Sequence, residues 1–175
     1  LSESAFMTGL ERNADVVHLT SYAPLMAHVD AFQWAPDMIW FDNLNSFGTA
    51  NYYVQKLYSN NRGTDVVAIT KDGKPLTGQN DLYATAATDV NKKELILKLV
   101  NTSGKAQDIQ ANLSGKSVES KGKMIVLTHD KLDDYNTLAE PIKIIPAEKE
   151  YKVSGKKTAV TVPAYSFVIL KLKLK

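Results

Sequence analysis

The period of the apolar positions changes near Gly63, from helical spacing around one short apolar strand to a long series of two-residue alternations. Ser2-Glu3-Ser4-Ala5 opens a predicted helix over 4–12, with Ser2 or Ser4 as N-cap and Ala5, Phe6 and Leu10 as its apolar stripe. A second helix is predicted over 16–28. Its residues Val16, Val17, Leu19, Tyr22, Ala23, Leu25 and Met26 are apolar nearly all round, so it should be buried on more than one side, with Pro24 kinking it. A ring-rich loop over 30–37 carries Phe32, Trp34 and Pro36. The run Met38-Ile39-Trp40-Phe41-Asp42-Asn43 reads as a strand, and Gly48-Thr49 leads into a helix over 50–58 that turns Tyr53, Val54 and Leu57 inward. A β/α unit of this kind needs parallel neighbours for its strand and helices on its faces. Residues 1–62 therefore read as the end of a larger α/β domain.

Asn60-Asn61-Arg62-Gly63 is a turn cluster and sets the domain boundary, so that 63–175 forms a second unit. Strands follow at 66–70, 82–88, 94–101, 106–113, 118–128, 142–145, 151–153, 158–162 and 167–174. Lys71-Asp72-Gly73-Lys74 makes a hairpin turn, and 129–141 is a long polar connection between sheets. This spacing predicts a mainly β chain, a jelly-roll-like two-sheet sandwich preceded by the helical remnant. Its core is expected from Val67, Leu95, Leu97, Leu99, Ile109, Leu113, Ile125, Leu127, Val160, Val168, Leu170 and Leu172. In the last strand Ile169, Lys171 and Lys173 are expected to face outward, and Ile96 and Lys98 oppose the Leu row of 94–101.

Composition narrows the function classes. The chain of 175 residues is 44% hydrophobic and carries a net charge of +2, too little to argue for nucleic acid. Residues 1–62 hold six Asp/Glu against three Lys/Arg, whereas 63–175 hold 13 against 18; the surplus lysines alternate with apolar residues and read as a solvated sheet face. With no Cys there are no disulfides, thiolate metal sites or Cys nucleophiles. No apolar run approaches the ~20 residues of a membrane span, and no membrane partner is expected. The chain does not begin with Met and shows no signal peptide, as expected of a segment that starts in mid-protein. His18, His28 and His129 have no metal-ligand spacing, and the adjacent Asp133 and Asp134 read as a solvated turn, so no metal and no cofactor is expected.

Two readings stand open for the aromatic concentration of Trp34, Trp40, Tyr52 and Tyr53: stacking on sugar rings, or packing within a barrel wall and a helix–sheet contact. In a parallel α/β barrel the ligand lies at the carboxyl ends of the strands. Trp40, Asp42, Asn43 and Asn45 occupy that end and are the candidate substrate-binding residues, with Trp40 as a wall; alternatively Asp42 and Asn43 cap the following turn.

The run Ala5 to Val17, then Ser21-Tyr22-Ala23-Pro24-Leu25, Ile39-Trp40-Phe41-Asp42-Asn43 and Gly48 to Leu57, resembles the end of the catalytic barrel in α-L-arabinofuranosidases of glycoside hydrolase family 51. Asn136 to Pro146 and Pro163-Ala164-Tyr165-Ser166-Phe167-Val168 resemble the family's C-terminal sandwich. The resemblance implies a (β/α)₈ barrel followed by a jelly-roll sandwich, with 38–43 as the eighth barrel strand and 50–58 as the eighth helix. It implies release of terminal arabinofuranosyl groups from arabinoxylan or arabinan with retention, through two carboxylates about 5–5.5 Å apart. In the family these are Glu residues at the ends of the fourth and seventh barrel strands. Both positions lie upstream of Leu1, so no catalytic residue is assigned here and this segment is expected to be inactive alone. The expected partners are arabinose-containing glycans, by way of the intact enzyme, and further copies of the protein, since the barrel remnant leaves apolar faces uncovered. A periplasmic or extracellular location is expected over a cytoplasmic one. A carbohydrate-binding sandwich, or one that mediates oligomer contacts, is the alternative reading.

Overall fold

The computed structural model describes residues 1–115, 117–153 and 157–175. It is mainly β: helix α1 (Ser2–Arg12), strands β1 (Met26–His28), β2 (Ile39–Phe41) and β3 (Ser46–Gly48), and helix α2 (Ala50–Asn60) precede ten further strands. These are β4 (Asp65–Val67), β5 (Thr70–Lys71), β6 (Lys74–Pro75), β7 (Leu82–Asp89), β8 (Glu94–Asn101), β9 (Gln107–Asn112), β10 (Val118–Thr128), β11 (Ala147–Lys152), β12 (Lys157–Val162) and β13 (Ser166–Leu174). A six-stranded sheet runs in the order β11-β10-β13-β8-β7-β4, and the pair β12-β9 packs on one of its faces. The sandwich is therefore lopsided, six strands against two. Asp72 and Gly73 both take positive φ (52° and 76°), the geometry a two-residue hairpin needs between β5 and β6.

The strands at 94–101 and 167–174 fall where alternation puts them, and Lys173 is exposed and Lys171 half-buried as an outward face requires, but the rest of the face read as outward is not solvated. Leu95, Leu97, Leu99, Val168, Leu170 and Leu172 form the core between the sheets, joined by Val160 and flanked by the half-buried Val67, Ile109 and Leu113. The opposite face carries Ile96, Val100, Ile125, Leu127, Phe167 and Ile169 into a second core against Met7, Val54, Leu57 and Tyr58 of the two helices. Ile125 and Leu127 thus belong to the helix-facing core, and Ile169, expected outside, is fully buried. The cause is simple. A sheet covered on both faces has no solvent side, so alternation sorts its residues between two cores instead of between core and water.

Helix α1 starts at Leu1, which provides no side-chain cap, so the expected caps Ser2 and Ser4 lie inside the helix. Ser4 Oγ instead donates to Leu1 O (2.7 Å), and Ser4 O accepts from Tyr58 Oη (2.8 Å), tying α1 to α2. Thr49 caps α2, its Oγ1 accepting from the Tyr52 amide (3.3 Å). The stacked rings of Tyr58 and Phe167, 5.0 Å apart, join α2 to β13. Lys98 lies on the same face of the sheet, fully buried, and its Nζ meets Glu11 Oε1 of α1 at 2.5 Å, with the Tyr58 ring 5.3 Å away.

Three further sequence expectations fail. The helix predicted over 16–28 is a turn, an extended run and strand β1. Asn13 ends α1, its Nδ2 donating to Gly9 O (2.7 Å); Pro24 has no amide for a helix; and an all-round apolar run supplies no helical stripe. The run 38–43 is strand only over Ile39–Phe41, and it keeps a parallel neighbour in β1 and an antiparallel one in β3. Residues 142–145 form turns rather than a strand, because Asn136 captures both the amide and the carbonyl of Ile144. The chain also passes tightly from helix to sandwich: a Cβ on Gly63 would lie 2.6 Å from the Thr88 carbonyl oxygen.

Candidate functional site

Strands β1 and β2 run parallel with Met26 opposite Ile39, Ala27 opposite Trp40 and His28 opposite Phe41. They end level, and the pairing continues through Val29 N, which donates to Phe41 O (3.0 Å). The segments that leave this edge carry His28 and Asp30 from one strand and Asp42, Asn43 and Asn45 from the other. The second helix of the sequence reading would have placed His28 elsewhere. A strand ending in Met-Ala-His after a proline was the signal available for it.

Asp42 is bound into its own turn. Its Oδ1 accepts from the amides of Leu44 (2.7 Å) and Asn45 (2.5 Å), while its own amide donates to Asn45 O (2.9 Å). The Asn45 amide group adds longer contacts at 3.3–3.4 Å. These donors, the Leu44 amide foremost, then Asn45, hold the Asp42 carboxyl below its ordinary range, with a smaller contribution from His28. Asn43 is exposed at the turn beside Leu44, which is 92% exposed. Trp40 is half-buried, edge-on to Phe32 with ring centroids 4.8 Å apart, and shares its face with Ala27 and Phe47.

His28 is half-buried. Its Nδ1 accepts from the Asp30 amide (3.2 Å), and its ring meets Phe41 edge-on at 5.4 Å. Asp42, Asn43 and Asn45 thus share one turn at the end of β2, where β1 ends in His28, whereas Trp40 lies on the other face of β2 with Phe32. They line neither the hollow of about 310 Å³ between the helix N-termini and the sandwich nor the one of about 330 Å³ beside β3. Among the described residues no group of three His, Asp or Glu side chains could hold a metal ion. No helix is long and apolar enough to cross a membrane.

Residues 1–166 match the family described as the α-L-arabinofuranosidase C-terminal domain. The chain belongs to this family. It is 31% identical over 173 residues to α-L-arabinofuranosidase 1 of Arabidopsis thaliana, covering 95% of this chain and 25% of that protein. It is 33% identical over 172 residues to the probable α-L-arabinofuranosidase A of Aspergillus terreus, covering 97% and 26%. Over 67 residues it is 66% identical to an extracellular exo-α-L-arabinofuranosidase of Streptomyces chartreusis, covering 38% of this chain and 8% of that one. An arabinose-bound glycoside hydrolase family 51 α-L-arabinofuranosidase superposes with a TM-score of 0.91 at 31% identity, over 99% of this chain and 27% of its own. A family 51 enzyme from Thermotoga petrophila shares the fold at 17% identity, with a TM-score of 0.81 over 97% of this chain and 38% of its own. The chain thus spans about a quarter or less of the length of these curated relatives. As an arabinofuranosidase C-terminal domain it is mainly β, with helices α1 and α2 inside the matched region.

Proposed function

We propose that the chain is the C-terminal part of a longer α-L-arabinofuranosidase that releases terminal arabinofuranosyl groups from arabinoxylan or arabinan with retention. Residues 1–62 are the end of its catalytic barrel and 63–175 its sandwich. The sandwich acts as a scaffold for the barrel. The observation that carries this role is the second core: one whole face of the six-stranded sheet is built to receive α1 and α2, down to the Lys98–Glu11 pair. A binding module would instead present rings to solvent. Of the rings in 63–175, Tyr83, Tyr151 and Tyr165 are half-buried and Phe167 is buried, which leaves Tyr135 as the exposed one.

Retention needs a nucleophile and an acid/base carboxylate, and on this reading both belong to the upstream part of the barrel. The 175-residue chain alone should not hydrolyse an aryl α-L-arabinofuranoside, and the longer enzyme should, with NMR showing the α anomer of arabinose before the β anomer, as retention requires. Turnover by the repurified short chain would overturn the assignment. Trp40, Asp42, Asn43 and Asn45 then lie on the substrate side of the barrel. The exposed Leu19, Leu25, Met26 and Trp34 are the surface that the rest of the barrel covers, and copies of the enzyme associate through its remaining faces. The extracellular relative supports a location outside the cytoplasm, which fractionation of the source cells tests.

A further inference from the structure

We propose that His28 is a sugar-binding residue of the intact enzyme, donating a hydrogen bond from Nε2 to a hydroxyl of the bound arabinofuranosyl group. The proposal rests on the barrel reading above and adds a residue to its substrate side. Strands β1 and β2 are parallel, and His28 sits level with Phe41, the residue before Asp42. Ligands of parallel α/β folds lie beyond the carboxyl ends of the strands, so one ligand position serves both ends. The Asp42 Oδ1 is already held by two amides of its own turn, and Oδ2 keeps a longer contact with Asn45.

His28 is different. The Asp30 amide occupies Nδ1, so a neutral ring carries its proton on Nε2, and that N–H is a directional donor. The ring is held edge-on to Phe41. A fixed donor beside an aromatic edge suits a polyhydroxylated ring, whose oxygens need donors and whose C–H faces need apolar contact.

The competing role for His28 is local: closing the turn in which Ala31 N donates to His28 O (3.1 Å) and the Asp30 amide meets Nδ1. Two substitutions in the full-length enzyme separate these roles. In His28→Asn the side-chain oxygen can replace Nδ1 in the turn, but the donor at the Nε2 position is gone. In His28→Gln the amide group reaches the Nε2 position. We expect His28→Asn to lower kcat/KM for an aryl α-L-arabinofuranoside roughly tenfold to a hundredfold without changing Tm, and His28→Gln to recover about tenfold of that loss. A second measurement uses the unmodified enzyme: arabinose should slow diethyl pyrocarbonate modification of His28 several-fold, as read by peptide mass spectrometry, and leave His129 unaffected. Wild-type kcat/KM in His28→Asn, or equal modification rates with and without arabinose, overturns the proposal while the wild type remains an arabinofuranosidase. A wild type that releases no arabinose overturns the barrel reading itself.

Discussion

Replacing Glu11 with Leu should destabilise the 175-residue chain far more than a surface charge substitution would. Lys98 is fully buried and Glu11 retains 14% side-chain exposure, with 2.5 Å between Nζ and Oε1. At an effective dielectric near 20, a separation of this size gives a gross attraction of about 6–7 kcal/mol. Desolvation costs several kcal/mol for each ion, so the net contribution of the intact pair is close to zero. Removing one partner is different, because it strands an ammonium ion among Tyr58, Thr85 and Ile169 and costs about 3–5 kcal/mol. Against a whole-protein stability of roughly 5–15 kcal/mol that is a large fraction. At about 2–4 °C per kcal/mol for a chain of this size, Tm should fall by roughly 6–20 °C. Glu11→Leu combined with Lys98→Met should return to wild-type stability or exceed it, since Glu11 Oε2 and Thr85 Oγ1 are already buried without hydrogen bonds among the described residues. Desolvation lowers the Lys98 pKa and Glu11 partly restores it. In Glu11→Leu the folded-state pKa should drop further below that of the unfolded chain, which then binds more protons, so the variant's deficit should shrink as pH rises towards about 10.5. Urea unfolding followed by circular dichroism at several pH values measures all of this. A Glu11→Leu variant within 0.5 kcal/mol of wild type, or a double variant as unstable as the single one, would refute the reasoning.

Asn136→Ala should cost about 2–3 kcal/mol in the same urea assay, because it leaves the Gly48 carbonyl and both backbone groups of Ile144 without their partner. In the full-length enzyme, Asn43→Ala should lower kcat/KM roughly tenfold to a hundredfold if Asn43 meets substrate; an unchanged kcat/KM with a lower Tm would leave it a turn residue. Burial raises the pKa of Glu94, but Lys173 and Lys171 outweigh that and bring it below its ordinary value. The unfolded chain then binds the proton first as pH falls, so Glu94 contributes stability above the ordinary Glu range that is lost as pH drops through the folded-state pKa. Glu94→Gln should therefore flatten the acid limb of the stability–pH curve, and equal limbs in both proteins would count against this.

The strands of the sandwich were legible because Leu95, Leu97 and Leu99, and Val168, Leu170 and Leu172, keep a strict two-residue period that only a strand satisfies. What alternation could not reveal is a second partner for the sheet. Ile96, Lys98 and Ile169 look like the outward half of a half-solvated strand until α1 and α2 are placed on them. Lys98 in particular reads as a solvent-facing residue, because the carboxylate that allows its burial lies 87 positions away. The candidate site was legible on β2, where apolar residues give way to Asp42 and Asn43. It was missed on β1, whose three residues are too few for any period to register beside a longer apolar run. That omission hid His28, the residue that ends β1 level with Phe41.

Strand β13 follows every other strand in sequence, yet it stands in the middle of the six-stranded sheet, hydrogen-bonded to β10 on one side and β8 on the other. During synthesis, β7 and β8 can pair early, and so can β10 and β11, but the two halves have no common edge until β13 emerges. The helix-facing core waits as well, since Phe167 and Ile169 belong to the same strand. Helix α1 must therefore hold the side that meets the sheet uncovered while more than 150 residues are added before β13. Closure comes as one late, long-range event, which favours slow folding and an interval of exposure to chaperones and proteases. A change that disrupts β13, such as Ile169→Asp, should consequently prevent the chain from accumulating, although both helices and most of the sheet precede that strand.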